Sequence, residues 1–260
     1  MTEGRREHFN RLRTIFGQDR TALGAVLTMP SVQMAQALAT MGFDWVLVDM
    51  EHYPIDVRDV HETIAAMAGS DTVPLVRIHW NRHWLAKPVL DVGALGIVFP
   101  MIRTRKEAEE AVAAVKYPPE GVRGWGPTYA QLRWDIGPEE YAQRANEEIL
   151  TVGLIEHERA VRNIDSIVAT PGLDVAFIAT NDLAASLGYL GNVEHSNVQA
   201  AISEIEKAVL GSDSILGGIA RSADIAAEMI QRGYRFLNLG SDIDLISRTT
   251  STLLDSIRNR

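Results

Sequence analysis

The 260-residue chain contains no cysteine and carries a formal net charge of −9, with 34 acidic against 25 basic residues. The cysteine count excludes disulfides, thiolate nucleophiles and sulfur-held zinc or iron–sulfur centres. The acidic balance, with no cluster of basic residues, predicts no nucleic-acid or anionic-membrane partner. A hydrophobic content of 46% suffices for one large core, and no run approaches the roughly 18 apolar residues of a membrane span. The opening "MTEGRREHFNRLRTIF" lacks the apolar centre of a signal peptide, so a cytoplasmic location is expected.

Eight short aliphatic or β-branched runs follow in chain order: "LGAVLTM" (23–29), "WVLVDM" (45–50), "PLVRIH" (74–79), "GIVFPMI" (96–102), "TVGLIE" (151–156), "VAFIAT" (175–180), "SILGGIA" (214–220) and "FLNLG" (236–240). Segments with helical spacing of apolar residues separate them, among them "SVQMAQALATM", "DVRDVHETIAAMA", "RKEAEEAVAAV", "ERAVRNIDSIVA", "NVQAAISEIEKAVL", "ADIAAEMIQRG" and the final "IDLISRTTSTLLDSI". Several of these begin after Ser, Asp or Thr and end in Gly, as capped helices do.

Near-continuous apolar strands alternating with helices predict parallel strands buried on both faces. Eight such units predict a (β/α)8 TIM barrel, and barrels of about 250 residues fold as one domain, so residues 1–260 are read as a single α/β domain. The alternative, an open doubly wound sheet, lacks a G-x-G-x-x-G after its first strand. From about Tyr117 to Leu150 the rhythm breaks in "YPPEGVRGWGP" and an aromatic-rich stretch with a short helix. This predicts an insertion after strand 4, placed at that strand's carboxyl end.

Barrel enzymes place their chemistry at the carboxyl ends of the strands. There the sequence puts Asp49, Glu51 and His52 after strand 2, Arg77 and His79 on strand 3, Glu156 and His157 after strand 5, and Asn181 and Asp182 after strand 6. Any one of these carboxylates alone is as well explained by a loop cap or a solvated charge. Together they are not, because burying an unpaired charge costs several kcal/mol unless a partner or a metal compensates it.

Glu156 and Asp182 are hard oxygen donors, suited to Mg2+, Mn2+ or a similar ion with water or substrate completing the shell. A 2-oxo acid fills such positions through its carboxylate and keto oxygens. Arg77, always charged, is placed to hydrogen-bond the developing enolate oxygen. His52 has the ordinary pKa suited to moving protons near neutrality, and Asp91 in "KPVLDVGALG" is a candidate to orient it. The four lysines, Lys87, Lys106, Lys116 and Lys207, all fall in helical segments, which disfavours a Schiff base.

Taken in order, "GFDWVLVDMEHYPID", "PLVRI", "VLDVGALGIVFPMIRTRKEAEEAV", "YPPEGVRGWG", "GLIEHERAVRNIDSIVATPGLDVAFIATNDLAASLG" and "FLNLGSD" resemble the HpcH/HpaI aldolases across nearly the whole chain. These are metal-dependent class II pyruvate aldolases of the phosphoenolpyruvate/pyruvate barrel superfamily. The resemblance implies reversible cleavage of a 4-hydroxy-2-oxo acid to pyruvate, or a related 2-oxo acid, and an aldehyde through a metal-bound enolate.

The same resemblance implies roles for single residues. Glu156 and Asp182 match the ligands of a divalent ion (Mg2+, Mn2+ or Co2+). Arg77 matches the enolate-stabilising arginine, and His52 with Asp91 matches the proton-transfer dyad. Asp49 and Glu51 match acids that support the site and position water. Backbone N–H groups near Asn181 and Asp182 match those holding the pyruvate carboxylate, while Arg123 and Trp125 lie in a loop that approaches the aldehyde. A homohexamer built as a trimer of dimers is implied, with the C-terminal helix, about 243–257, exchanged between subunits.

Two positions depart from the family pattern, Leu154 where Gln is common and Ala179-Thr180 where Gly-Pro is common. Three other readings are weighed. An acyl-CoA lyase of the malyl- or citramalyl-CoA kind calls for a cluster of basic residues that this chain lacks. A phosphosugar isomerase or epimerase is suggested by "GGIA" and "LGSD", whose glycines are as well explained by tight turns. A non-catalytic barrel binding a small acid is the third. Trp80 and Trp84 are weighed as residues lining the entrance and read as core aromatics, and His79 and His83 as surface residues.

Overall fold

Eight parallel strands pair in sequence order and close into a barrel in a computed structural model of the protein, which describes residues 8–259. They are β1 (Ala22–Leu27), β2 (Trp45–Asp49), β3 (Val73–Arg77), β4 (Gly96–Phe99), β5 (Leu150–Ile155), β6 (Val175–Ile178), β7 (Ile215–Ile219) and β8 (Phe236–Ser241). All eight expected strands are present. Residues 1–7, part of the segment read for a leader, lie outside the described residues.

The strands are apolar on both faces because helices cover the outside while side chains fill the inside. β2 and β5 are buried at every position. Inside, the ring of Trp45 stacks on Phe236 at 4.3 Å between centroids and 3° between planes. Gly24 makes room for this stack, since a Cβ there would lie 2.0 Å from the Trp45 ring across the β1–β2 pair, in which Gly24 and Trp45 are register partners.

The outer layer comprises α1 (Arg11–Gly17), α2 (Val32–Thr40), α3 (Val57–Met67), α4 (His83–Asp91), α5 (Arg105–Val115), α6 (Thr128–Trp134), α7 (Pro138–Glu148), α8 (Glu158–Arg162), α9 (Ile164–Val168), α10 (Thr180–Ser186), α11 (Ser196–Leu210), α12 (Ala223–Gln231) and α13 (Asp242–Arg258). Side chains close their first turns as expected: Ser31, Thr104 and Ser222 each accept a backbone N–H, and Asp56 and Ser241 form capping boxes with Asp59 and Asp244.

Three expectations need correction. The "ERAVRNIDSIVA" stretch is two short helices, broken at Asn163, whose side-chain amide donates to the carbonyls of Arg103 at 2.9 Å and Arg159 at 3.0 Å. The segment from Tyr117 carries two helices, α6 and α7, and lies between α5 and β5, so it sits where the strands begin. Trp134 Nε1 donates to the carbonyl of Gly93, just before β4, at 3.1 Å, and Tyr141 stacks on Phe9 at 6.0 Å. The third concerns Trp80 and Trp84, which are 39% and 58% exposed rather than core.

Candidate active site

The carboxyl ends of the strands surround a cavity of about 450 Å3. Its depth is apolar, lined by Trp45, Phe236, Phe177, Val152 and Leu154, and its mouth is polar. Asp49, His52, Tyr53 and Arg77 come from β2, β3 and the loop after β2; Ala179, Asn181 and Asp182 come from the end of β6 and the start of α10. Asn238, Ser241, Ile243 and Asp244 close the side formed by β8 and α13.

Asp49 and Arg77 are register partners on adjacent strands. Arg77 donates from Nε to Asp49 Oδ1 at 2.8 Å and from Nη2 to Oδ2 at 2.5 Å. Asp49, fully buried, also accepts the backbone N–H of Glu51 at 3.0 Å. The pair holds the guanidinium in one orientation, and desolvation, which opposes the charge on Arg77, is outweighed by Asp49, Glu51 and Glu156, so its pKa is raised.

Glu51 and Glu156 adjoin this pair. Burial is the main cause that pushes Glu156 up to about 7; the Met101 N–H, which donates to Glu156 Oε1 at 2.5 Å, and Arg77 oppose it, while Glu51 and Asp182 add to it. Met101 reaches Glu156 from a left-handed backbone, φ 59°, on the turn after β4. Glu51 is likewise pushed up to about 7, chiefly by burial, with Arg77 opposing and Asp49 and Asp182 adding. Arg77 Nε lies 3.3 Å from Glu51 Oε2, but its single N–H points to Asp49, so this buried oxygen accepts no hydrogen bond. His52 is exposed at the rim with Nε2 3.6 Å from Glu51 Oε2.

Neighbouring carboxylates thus add to the raised pKa of Glu51 and Glu156 at a mouth lined by one arginine, an excess of negative charge that a hard divalent cation would relieve. Among the described residues, no group of three or more His, Asp or Glu side chains is gathered as a ready metal cage. Glu51, Glu156 and Asp182 are hard oxygen donors of the kind such a cation takes, and two or three of them would leave part of its shell for water or substrate.

Asp91, Arg123 and Trp125 do not join this site within the subunit. Arg123 Nη2 donates to Asp91 Oδ1 at 3.1 Å and contacts the Tyr141 hydroxyl at 3.1 Å, with its guanidinium 4.5 Å from the Tyr117 ring centroid. The expected Asp91–His52 pairing is corrected for a physical reason. Asp91 ends α4, a helix that has run back to where the strands begin, and the loop bearing Arg123 and Trp125 leaves α5 on that same side. Arg123 is buried while Trp125 is 55% exposed.

Lys87, Lys106 and Lys207 lie on helices, Lys116 ends α5 and pairs with Glu120 at 2.9 Å, and none lines the cavity. His79 and His83 are exposed. Sequence reasoning gave no site role to Tyr53, Asn238, Ser241 or Asp244, and read Met101 at the end of strand 4 as part of a wall. Tyr53 lay inside the His52 motif and Asn238 and Ser241 inside "FLNLGSD", but their facing depends on which backbone or helix start meets the mouth.

A closed parallel barrel with an acid-rich mouth, a pinned arginine and a rim histidine defines an α/β-barrel enzyme of small molecules. The chain belongs to the HpcH/HpaI aldolase/citrate lyase family, whose model matches residues 26–249. It is 36% identical over 235 residues to a 4-hydroxy-2-oxo-heptane-1,7-dioate aldolase of Escherichia coli, covering 90% of this chain and 89% of that one. It is 33% identical to a 2-dehydro-3,6-dideoxy-6-sulfogluconate aldolase of Pseudomonas putida, covering 92% and 93%. A solved HpcH/HpaI aldolase/citrate lyase family protein from Burkholderia cenocepacia superposes with a TM-score of 0.88 at 32% identity, covering 96% of this chain and 99% of that one.

Proposed function

We propose that the protein is a divalent-metal-dependent pyruvate aldolase that reversibly cleaves a 4-hydroxy-2-oxo acid to pyruvate, or a related 2-oxo acid, and an aldehyde. The observation that carries this reading is the Asp49–Arg77 pair set beside Glu51, Glu156 and Asp182, which matches a site built to gather charge on one oxygen. The named aldolase activities of the relatives support it.

Glu156 and Asp182 would hold the ion, which when bound supplies Lewis acidity to the keto group and offsets the charge of the enolate. Arg77, with Nε and Nη2 engaged by Asp49, keeps Nη1 to donate to the keto oxygen as that oxygen becomes anionic. The start of α10, which has no side-chain cap, leaves backbone N–H groups near Asn181 and Asp182 for the substrate carboxylate. His52 takes the proton of the C4 hydroxyl, the C3–C4 electron pair moves into C2–C3, and the aldehyde leaves. The proton then passes from His52, beside Glu51, to C3 to give the pyruvate methyl group.

The protein is read as a homo-oligomer, a hexamer by family resemblance. α13 exposes Ile243, Ile246, Leu253, Leu254 and Ile257, and the α4–α6 side exposes Trp84, Trp125, Tyr129 and Leu132. Such apolar surface is what subunit contact covers. Asp91 and Trp125 meet a reaction centre only if it belongs to a neighbouring subunit. Exchange of the pyruvate methyl protons with heavy water tests the half-reaction. Exchange that requires an added divalent ion and Arg77 supports the reading, and exchange that survives Arg77→Ala contradicts it.

A further inference from the structure

We propose that the aldehyde released from this site is an uncharged hydroxy-aldehyde, recognised on one flank of the mouth by Tyr53 and by Asp244, with Ser241 and Asn238. The inference rests on the aldolase reading and names its substrate class. It starts from the charges available to the part of the substrate beyond C4. Of the residues lining the cavity, Arg77 is the one permanent cation; Asp49 engages its Nε and Nη2, and on the aldolase reading the keto oxygen takes its Nη1. Asp49, Asp182 and Asp244 line the same space.

Two more arginines stand near this wall without serving it. Arg248 donates to the carbonyls of Leu239 at 2.7 Å and Arg221 at 2.8 Å, and Arg221 itself does not line the cavity. Asp244 is held ionised: its Oδ2 accepts the Ser241 N–H at 3.1 Å, and the neighbouring arginines add to the same effect, so its pKa is lowered. A second anionic group on the aldehyde would therefore meet the Asp244 carboxylate, and among the described residues lining the cavity no further permanent cation balances it.

The same wall suits hydroxyl groups. Asp244 Oδ1 is an acceptor with no hydrogen bond from the described residues, and the capping box fixes its direction. Asn238 Oδ1 accepts the Gly240 N–H at 2.9 Å, which fixes the amide and leaves Nδ2 to donate. Ser241 Oγ accepts the Asp244 N–H at 3.1 Å, and its hydroxyl also lies within hydrogen-bonding reach of the Asp244 carboxylate. Tyr53 lines the same flank from the loop after β2, across β1 from the start of α13, 38% exposed, with a phenol that makes no hydrogen bond among the described residues. Donors and acceptors of one hydroxylated carbon chain are thus present, while the apolar depth of Trp45, Phe177 and Phe236 lies under the 2-oxo acid end. Polar groups without substrate partners reject an aldehyde that lacks hydroxyls.

The test is aldol addition of pyruvate, with a saturating divalent ion, to three aldehydes of similar length: glyceraldehyde, butanal and succinic semialdehyde. The expected order of kcat/KM puts glyceraldehyde at least tenfold above the other two. Tyr53→Phe and Asp244→Asn should each narrow the glyceraldehyde-to-butanal ratio severalfold, and Asp244→Asn should raise the use of succinic semialdehyde. A wild-type preference for the semialdehyde, or ratios unmoved in both variants, overturns the inference. Pyruvate methyl exchange by the same wild-type preparation separates the two levels. Metal-dependent exchange together with a semialdehyde preference rejects the subsite alone, whereas absent exchange rejects the aldolase reading and the subsite with it.

Discussion

Arg77 meets both oxygens of Asp49 from the neighbouring strand, at 2.8 and 2.5 Å, and the residue it meets is fully buried. A lysine cannot reproduce this fork, because its ammonium is a single point of charge. Arg77→Lys is expected to lower kcat for retro-aldol cleavage about 10²- to 10³-fold, the scale for losing one oriented donor to a developing oxyanion. Steady-state kinetics check it; a loss confined to KM would place Arg77 in ground-state binding instead.

Removing Asp49 strands the arginine. Asp49→Ala is expected to destabilise the fold by about 3–5 kcal/mol, the range for breaking a buried ion pair from one side. Urea unfolding measures it, and a change below about 1 kcal/mol would show that water replaces the carboxylate.

The raised carboxylates predict an unusual pH dependence. Glu156, pushed up to about 7 from 4.5, holds its proton in the native state at pH values where the unfolded chain has released it. Stability of the metal-free protein therefore falls as pH rises from about 4.5 through about 7. Unfolding at pH 5 and pH 7.5, wild type beside Glu156→Gln, isolates the contribution, and the variant should show the flatter profile. An added divalent ion should stabilise the wild type more at pH 7.5 than at pH 5, since it must displace protons at the lower pH. Equal stabilisation at both would contradict the assignment of Glu156 as a ligand.

Leu154 and Ala179 line the cavity and depart from the family pattern. Leu154→Gln is expected to change the ratio of kcat/KM values between 2-oxo acid donors severalfold while leaving the divalent-ion concentration for half activation within about twofold. An unchanged ratio with lost metal affinity would contradict this.

The apolar face of α13 predicts association. Leu253, 59% exposed, lies on that face. Leu253→Asp should sediment as a smaller species than the wild type, which the family resemblance predicts to be hexameric. A wild type that sediments as a monomer would contradict the assembly.

Much of this was legible in the sequence. Period and punctuation disclosed the eight strands, and polar residues ending apolar runs disclosed the mouth, because a buried strand tolerates charge only where it emerges. Strand 2 shows it best: "WVLVD" is buried throughout, and Glu51 and His52 follow at the opening. What failed was position along the barrel axis. Asp91, Arg123 and Trp125 sit in a chemistry-rich pattern, yet α4 and α5 had each returned to the strand beginnings, and counting helix ends would have shown it. The Met101 N–H was hidden because it reaches Glu156 through a left-handed turn, and the facing of Asp244 because it follows from a capping box, neither of which leaves a charge pattern in the sequence.

The central claim is tested most directly by pyruvate release from a 4-hydroxy-2-oxo acid. Chelator-treated protein would be assayed before and after addition of Mg2+, Mn2+ or Co2+, with Glu156→Ala beside the wild type. The account predicts that the ion restores cleavage in the wild type and fails to do so in the variant. Pyruvate release that ignores both the chelator and the substitution would contradict it.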